Sequence, residues 1–230
     1  MFKTLSHWRG WLAAAASVLS LTSSAAMAEM QIGVYGGANS NFSSPATLSK
    51  GTLRDERTMD WEGRPFEMPP YWGAQATYWL NAGAGWGVGL DYTHTKAYAP
   101  LNFATDPVYR HLEFTDGNNL VILNLMYRFS PLMDGRLLPY VGAGGGLAIP
   151  HVEVKLKAFP GQDTWEYQLA GGAAQVLGGF EYRLTGPWSL FAEGKLSYSH
   201  LATDLEGGGH LNTYLWSPQL LVGLSYRFGE

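Results

Sequence analysis

Five histidines follow residue 28: His94, His111, His151, His200 and His210. Three of them continue alternating runs of residues at a spacing of two. Tyr92 leads to His94, Ile149 to His151 and Tyr198 to His200. Glu153 follows His151 by two residues, so on an extended strand both side chains leave the same face. Two histidines and a carboxylate form a common ligand set for redox metals such as iron. His94, His151 and His200 are therefore candidate catalytic residues, and the same three with Glu153 are candidate metal ligands. The alternative is a polar rim of histidines with no catalysis. A shared site requires loop folding to gather them, because the three runs are not neighbours in the order of strands.

A second group carries positive charge. Arg54, Arg57, Arg64, Lys96, Arg110, Lys155 and Lys157 have the chemistry to bind phosphate oxygens. Arg54, Arg57, Arg64, Lys96, Arg110 and Lys155 are the candidate substrate-binding set. The alternative for those near residue 60 is a solvated loop balanced by Asp55, Glu56, Asp60, Glu62 and Glu67. Two other chemistries lack their residues. Ser199 and His200 are adjacent, which on a strand sends them to opposite faces and separates a nucleophile from its base. The run GAGGG at 142–146 has no Lys-Ser/Thr after it, so it is not a nucleotide-binding loop.

The elements that hold these residues are strands. LNLMYRF at 123–129, FEYRL at 180–184 and LVGLSYRF at 221–228 each alternate and close on an aromatic–Arg–apolar triplet. Eight strands are expected over 30–39, 71–80, 86–96, 119–129, 139–151, 172–184, 188–200 and 214–228. Most reach the roughly 9–11 residues that a tilted membrane strand needs. One face of each is free of charge, as in Trp86, Val88, Leu90, Tyr92 and in Leu220, Val222, Leu224, Tyr226, Phe228. A soluble sandwich would place Lys and Glu on its outer face. Here Asp91, Arg128, Glu181, Arg183, Glu193, Lys195 and Arg227 take the opposite parity and would pair across a narrow lumen. Eight strands leave an interior that side chains can fill.

These features predict an all-β chain: an eight-stranded antiparallel transmembrane β-barrel with short periplasmic turns and four longer outer loops, 40–70, 97–118, 152–171 and 201–213. Tyr and Trp cluster near strand ends, as interfacial girdles do. The aromatic–Arg–apolar endings orient the barrel with their own end toward the periplasm. All five histidines then lie at the outer end.

The N-terminus reads separately. Lys3 and Arg9, an apolar stretch from Trp11 to Leu21 and Ala26-Met27-Ala28 fit a cleaved signal peptide over 1–28. The barrel is expected over 29–230, in the bacterial outer membrane. Without Lys3 and Arg9, 13 basic residues stand against 19 acidic, a net charge of −6. That balance offers nothing to nucleic acid. Cysteine is absent, so thiol chemistry and disulfides are excluded.

The runs GVYGGANSNFSS (33–44), MPPYWG (68–73), LDYTHTKAYAPLNFATDP (90–107), LEFTDGNN (112–119), PHVEVKLK (150–157), GKLSYSH (194–200) and WSPQLLVGLSYRFGE (216–230) resemble the outer-membrane lipid A oxidases. The resemblance spans the mature chain and implies oxidation of the proximal glucosamine of lipid A to 2-aminogluconate, with O2 as co-substrate. It implies lipid A as partner, besides the barrel-assembly machinery during biogenesis. Oxygen chemistry generally needs a metal or organic cofactor. With no dinucleotide fingerprint and no thiol, a redox metal ion is the expected helper. Phe228 stands two residues short of the C-terminus, a departure from the terminal aromatic of most such barrels. Two other classes stay open: a structural or surface-interaction barrel of the OmpA type, and a narrow channel for hydrophobic compounds of the OmpW type. The paired lumen charges argue against the channel.

Overall fold

The computed structural model describes residues 28–228. All of the expected signal peptide except Ala28 lies outside the described residues. Eleven strands follow in order: β1 (Glu29–Asn39), β2 (Ser44–Lys50), β3 (Leu53–Met59), β4 (Trp72–Trp79), β5 (Gly85–Tyr98), β6 (Tyr109–Arg128), β7 (Leu137–Leu156), β8 (Thr164–Tyr167), β9 (Gly171–Arg183), β10 (Trp188–Asp204) and β11 (His210–Phe228). Eight of them, β1-β4-β5-β6-β7-β9-β10-β11, form an antiparallel ring that β1 and β11 close, with Met30 opposite Phe228. Each of the eight expected strands is a ring strand.

The lower half follows the pattern of a lipid-facing wall. Ile32, Val34, Leu90, Leu123, Leu125, Val176, Leu190 and Val222 point outward and are exposed. Trp86 packs edge-on against Tyr127, and Trp188 against Tyr226, both with ring centroids 5.0 Å apart. They form the girdle at the end with the short turns. Trp72 with Tyr92 and Tyr198 with Trp216 form the opposite girdle. From Phe129 to Val121 the band runs eight residues, about 26 Å along the strand and about 20 Å in height at a tilt of about 40°, most of an apolar band about 25 Å tall.

The lumen of this half is polar and filled. Lys195 Nζ lies 2.5 Å from Asp91 and 3.3 Å from Glu193. Arg128 and Arg183 share Glu29 at 2.9 and 3.0 Å, and Arg128 also reaches Glu181 at 3.4 Å. The Tyr35 and Tyr140 hydroxyls donate to Asp91 and Glu193. Buried charges are tolerable here because each finds an opposite charge and further hydrogen bonds.

Above the outer girdle the pattern inverts. Leu112, Phe114, Val152, Val154, Leu156, Leu201, Leu211 and Leu215 point inward and form one apolar core with Trp61 and Tyr109. The polar residues of the same strands point outward. Four segments expected as long outer loops therefore carry strand instead. β5, β6, β7, β10 and β11 extend past the apolar band, β2 and β3 form a hairpin within 40–70, and β8 lies within 152–171. The connections between β5 and β6 and between β10 and β11 shrink to 99–108 and 205–209. β2 pairs the upper end of β11, from His210 opposite Ser49 to Thr213 opposite Ala46, where β1 has left the sheet. A bridge between Glu62 and Tyr98 carries the wall on from the hairpin to β5. The expectation followed apolar outer faces, and these end at the edge of the bilayer although the strands do not.

Candidate functional site on the outward face of strands β6 to β8

The inversion places a polar, partly buried cluster on the outside of the barrel, just beyond the apolar band. On β6 the outward positions are His111, Glu113 and Thr115, alternating with the core residues Leu112 and Phe114. On β7 they are His151, Glu153 and Lys155, alternating with Val152, Val154 and Leu156. Glu113 and Glu153 are register partners. Like charges directly opposite on adjacent strands repel, so something positive must stand between them. That is His111, whose Nε2 lies 2.8 Å from Glu113 Oε1 and 3.2 Å from Glu153 Oε2.

The other Glu153 oxygen accepts from His151 Nδ1 at 2.9 Å and from Thr115 Oγ1 at 3.2 Å. Asp116 Oδ2 is 3.7 Å from His151 Nδ1. It sits in an irregular stretch where β6 slips register against β7 between Glu113 and Asn118. The side-chain bonds from Glu113 and then Glu153 push the His111 imidazole up to about 9, against burial, so it is charged at neutral pH. Burial pushes Glu153 up, but the bonds from His111 and His151 outweigh it and hold the carboxyl below its ordinary range. Glu153 is therefore ionised although only 2% exposed.

Aromatic rings wall the cluster. Short strand β8 pairs β7 with His151 opposite Tyr167 and Glu153 opposite Trp165. The His151 ring lies 4.7 Å from that of Tyr167 and 5.5 Å from that of Trp165. His111 stacks on Trp165 at 6.2 Å, with Phe103 on its other side at 5.8 Å. Trp165 and Tyr167 are themselves exposed, at 54% and 56%. The Lys155 ammonium lies 5.3 Å from the centre of the Trp165 ring. Exposed aromatic faces beside polar groups suit a sugar ring, which offers C–H groups to a π-face and hydroxyls to the groups around it.

The candidate residues distribute unevenly around this cluster. His151 and Glu153 lie at its centre. His94 is on β5, opposite Trp72 on β4, with the rings stacked at 6.2 Å. Its Nδ1 donates to Asn119 Oδ1 at 3.0 Å, and its buried Nε2 has no hydrogen-bond partner. His200 is exposed on β10, opposite Tyr214, with β9 between β10 and β7. The strands do not bring His200 into the cluster. Loops do not gather the three histidines, because the segments that carry them remain strand. His210 pairs with Asp204 at the outer tip.

Most of the candidate cations are already engaged. Arg57 holds Asp55 and Asp106 at 2.7 and 2.5 Å. Arg64 pairs with Glu62, and Arg110 with Asp163. Arg54 donates to the carbonyls of Gly51 and Leu53. Lys96 is buried, with its Nζ on the Glu67 carbonyl. Lys155 is the candidate cation that borders the cluster.

His111, Glu113, Asp116, Trp165 and Tyr167 were not among the candidates. A signal for the first two was present. His111-Leu-Glu113-Phe-Thr115 alternates polar and apolar residues as a strand does, with the apolar side inward.

A model of the outer membrane protein beta-barrel domain family matches residues 12–228. Among solved structures, the outer membrane protein OprG from Pseudomonas aeruginosa is 14% identical over 88% of this chain and 96% of that chain, with a TM-score of 0.52. Neisserial surface protein A is 16% identical over 86% and 96% of the two chains, with a TM-score of 0.47. The attachment invasion locus protein Ail of Yersinia pestis is 13% identical over 88% and 99%, with a TM-score of 0.39. No curated protein matches the chain.

Proposed function

The chain belongs to the outer membrane protein beta-barrel domain family and is an integral outer-membrane protein, and we propose that it oxidises the proximal glucosamine of lipid A to 2-aminogluconate with O2. One observation carries this reading. The His111–Glu113–His151–Glu153 cluster faces the lipid side rather than the lumen, at the height where a lipid's sugar headgroup begins. Glu153 is buried at 2% exposure yet paired and hydrogen-bonded, and such buried ionisable groups concentrate at functional sites. The resemblance of the chain's runs to lipid A oxidases names the substrate.

The reaction sets requirements that the cluster can be tested against. The anomeric carbon must carry a free hydroxyl. It gives up its C–H hydrogen and the hydroxyl proton, with two electrons, and becomes a lactone. O2 takes the two electrons and two protons and leaves as hydrogen peroxide. Water opens the lactone, so the sugar gains one oxygen atom in all. The exposed faces of Trp165 and Tyr167 offer the sugar a platform, and Lys155 and the charged His111 supply positive charge beside it. The cluster's carboxylates are the groups available to take the hydroxyl proton. Histidine and carboxylate side chains do not carry electrons; they are ligand types for metals that do.

The alternative is a barrel with a structural or surface role and no effect on lipid A. The filled lumen disfavours a channel. The folded barrel incubated in aerated buffer with lipid A whose anomeric hydroxyl is free should consume O2 and release peroxide as the lipid gains one oxygen. Unaltered lipid under those conditions would leave the structural role.

A further inference from the structure

We propose that the outward cluster is a dinuclear metal site in which Glu153 bridges two divalent transition-metal ions. One ion takes Glu113, Glu153 Oε2 and His111 Nε2, which gives up its proton to solvent as the ion binds. The other takes His151 Nδ1, Asp116 and Glu153 Oε1.

The geometry carries the assignment. In each set the three ligand atoms lie within 4.8 Å of one another, and the two sets share only Glu153, through opposite oxygens. The separations within them, 2.8 and 3.2 Å around His111 and 2.9 and 3.7 Å around His151, bracket the edge lengths of a coordination polyhedron. Metal–ligand bonds of about 2.1 Å give edges of about 3.0–3.4 Å. Carboxylate-bridged ions about 3.5–4 Å apart are a recurring catalytic arrangement.

Charge points the same way. Glu113 and Glu153 face each other across β6 and β7, and Asp116 adds a third carboxylate beside them. A carboxylate buried as deeply as Glu153 calls for strong compensation. A network of hydrogen bonds offers some, and a pair of cations offers more.

The ligand types select the metal. Imidazole with carboxylate suits iron, manganese or zinc, and the absence of thiolate disfavours soft ions. Three protein ligands per ion leave positions open for O2 or a sugar oxygen. Two adjacent ions, each able to change by one electron, match the two electrons that leave the sugar. That role rests on the lipid-oxidation reading, whereas the existence of the site does not.

The test uses the full barrel folded in detergent, stripped with chelator and loaded with Mn(II) in the absence of lipid. Elemental analysis should find about two ions per chain, and electron paramagnetic resonance should show an exchange-coupled pair. H111A and H151A should each retain about one ion with an uncoupled signal. E153A and the isosteric E153Q should lose the coupling and most of the metal, while H210A should match wild type. Circular dichroism confirms that each variant keeps its strand content. Wild-type binding no greater than that of E153A overturns the site. A single ion lost together in H111A and H151A overturns the pair. A barrel that binds both ions yet leaves lipid A unaltered would leave the pair standing and overturn the oxidase reading.

Discussion

Glu113 and Glu153 stand directly opposite each other on β6 and β7, both turned away from the core, and share the Nε2 of His111. Two carboxylates in cross-strand register hold the wall together only with a cation between them. This pair ties the stability of the outer wall to the chemistry of the site.

Removing that cation should loosen the wall locally. His111→Ala leaves Glu113 and Glu153 facing each other, at a cost of about 1 kcal/mol. Hydrogen exchange should speed up at the outer ends of β6 and β7 and stay unchanged in the lower half. Uniform exchange along both strands would contradict the local role.

The lower lumen should answer more strongly. Lys195→Met leaves Asp91 and Glu193 buried without their shared cation. Breaking a buried pair from one side costs about 3–5 kcal/mol. Urea unfolding of the barrel in detergent should show that loss, and Lys195→Met with Asp91→Asn should recover part of it. Equal stability of the single and double variants would show that the pair is not coupled.

The upper core makes a separate claim. Leu112 lies between His111 and Glu113 in sequence but points into the core, where it is fully buried. Leu112→Ala should cost about 2–5 kcal/mol in the upper barrel. It should weaken Mn(II) binding while the lower barrel still forms, as read by elemental analysis alongside circular dichroism. Unchanged metal binding would mean that the cluster does not depend on the core beneath it.

Acid should open the connection between β5 and β6. Burial pushes the Asp106 carboxyl up, but the N–H groups of Tyr109 and Val108 and the Arg57 side chain outweigh it and hold it below its usual range. A carboxyl depressed in the folded state contributes stability above its unfolded value, and that stability is lost as pH falls through the folded value. Proteolysis within 99–108 should therefore rise below about pH 4. Asp106→Asn should be open at neutral pH and insensitive to acid. The same pH response in both proteins would contradict the assignment.

The barrel was legible because lipid imposes a strict rule. Strands such as 119–129 must show apolar side chains outward, and Leu123, Leu125 and Tyr127 do. The aromatic–Arg–apolar endings were legible for the same reason, and Arg128 and Arg183 lie in the lumen as their parity requires. The rule fails at the outer girdle. There the core moves inside, and His111-Leu-Glu113-Phe-Thr115 keeps its alternation with the faces exchanged. Reading that stretch as a loop hid half of the cluster. His151 and Glu153 were found together because their spacing of two needs no knowledge of which face is wet. Their partners come from β6, and register between distant strands is not written in either strand alone. His200 shares the parity of His151 but lies on β10, with β9 between. Parity alone does not bring side chains together.

The most direct test of the central claim is the mass spectrum of lipid A from aerobically grown cells. Cells expressing the wild-type chain should carry a species heavier by one oxygen, located on the proximal sugar. Cells without the gene, or with Glu153→Gln folded in the outer membrane, should lack it. Identical lipid A in all three would contradict the assignment of this barrel as a lipid A oxidase.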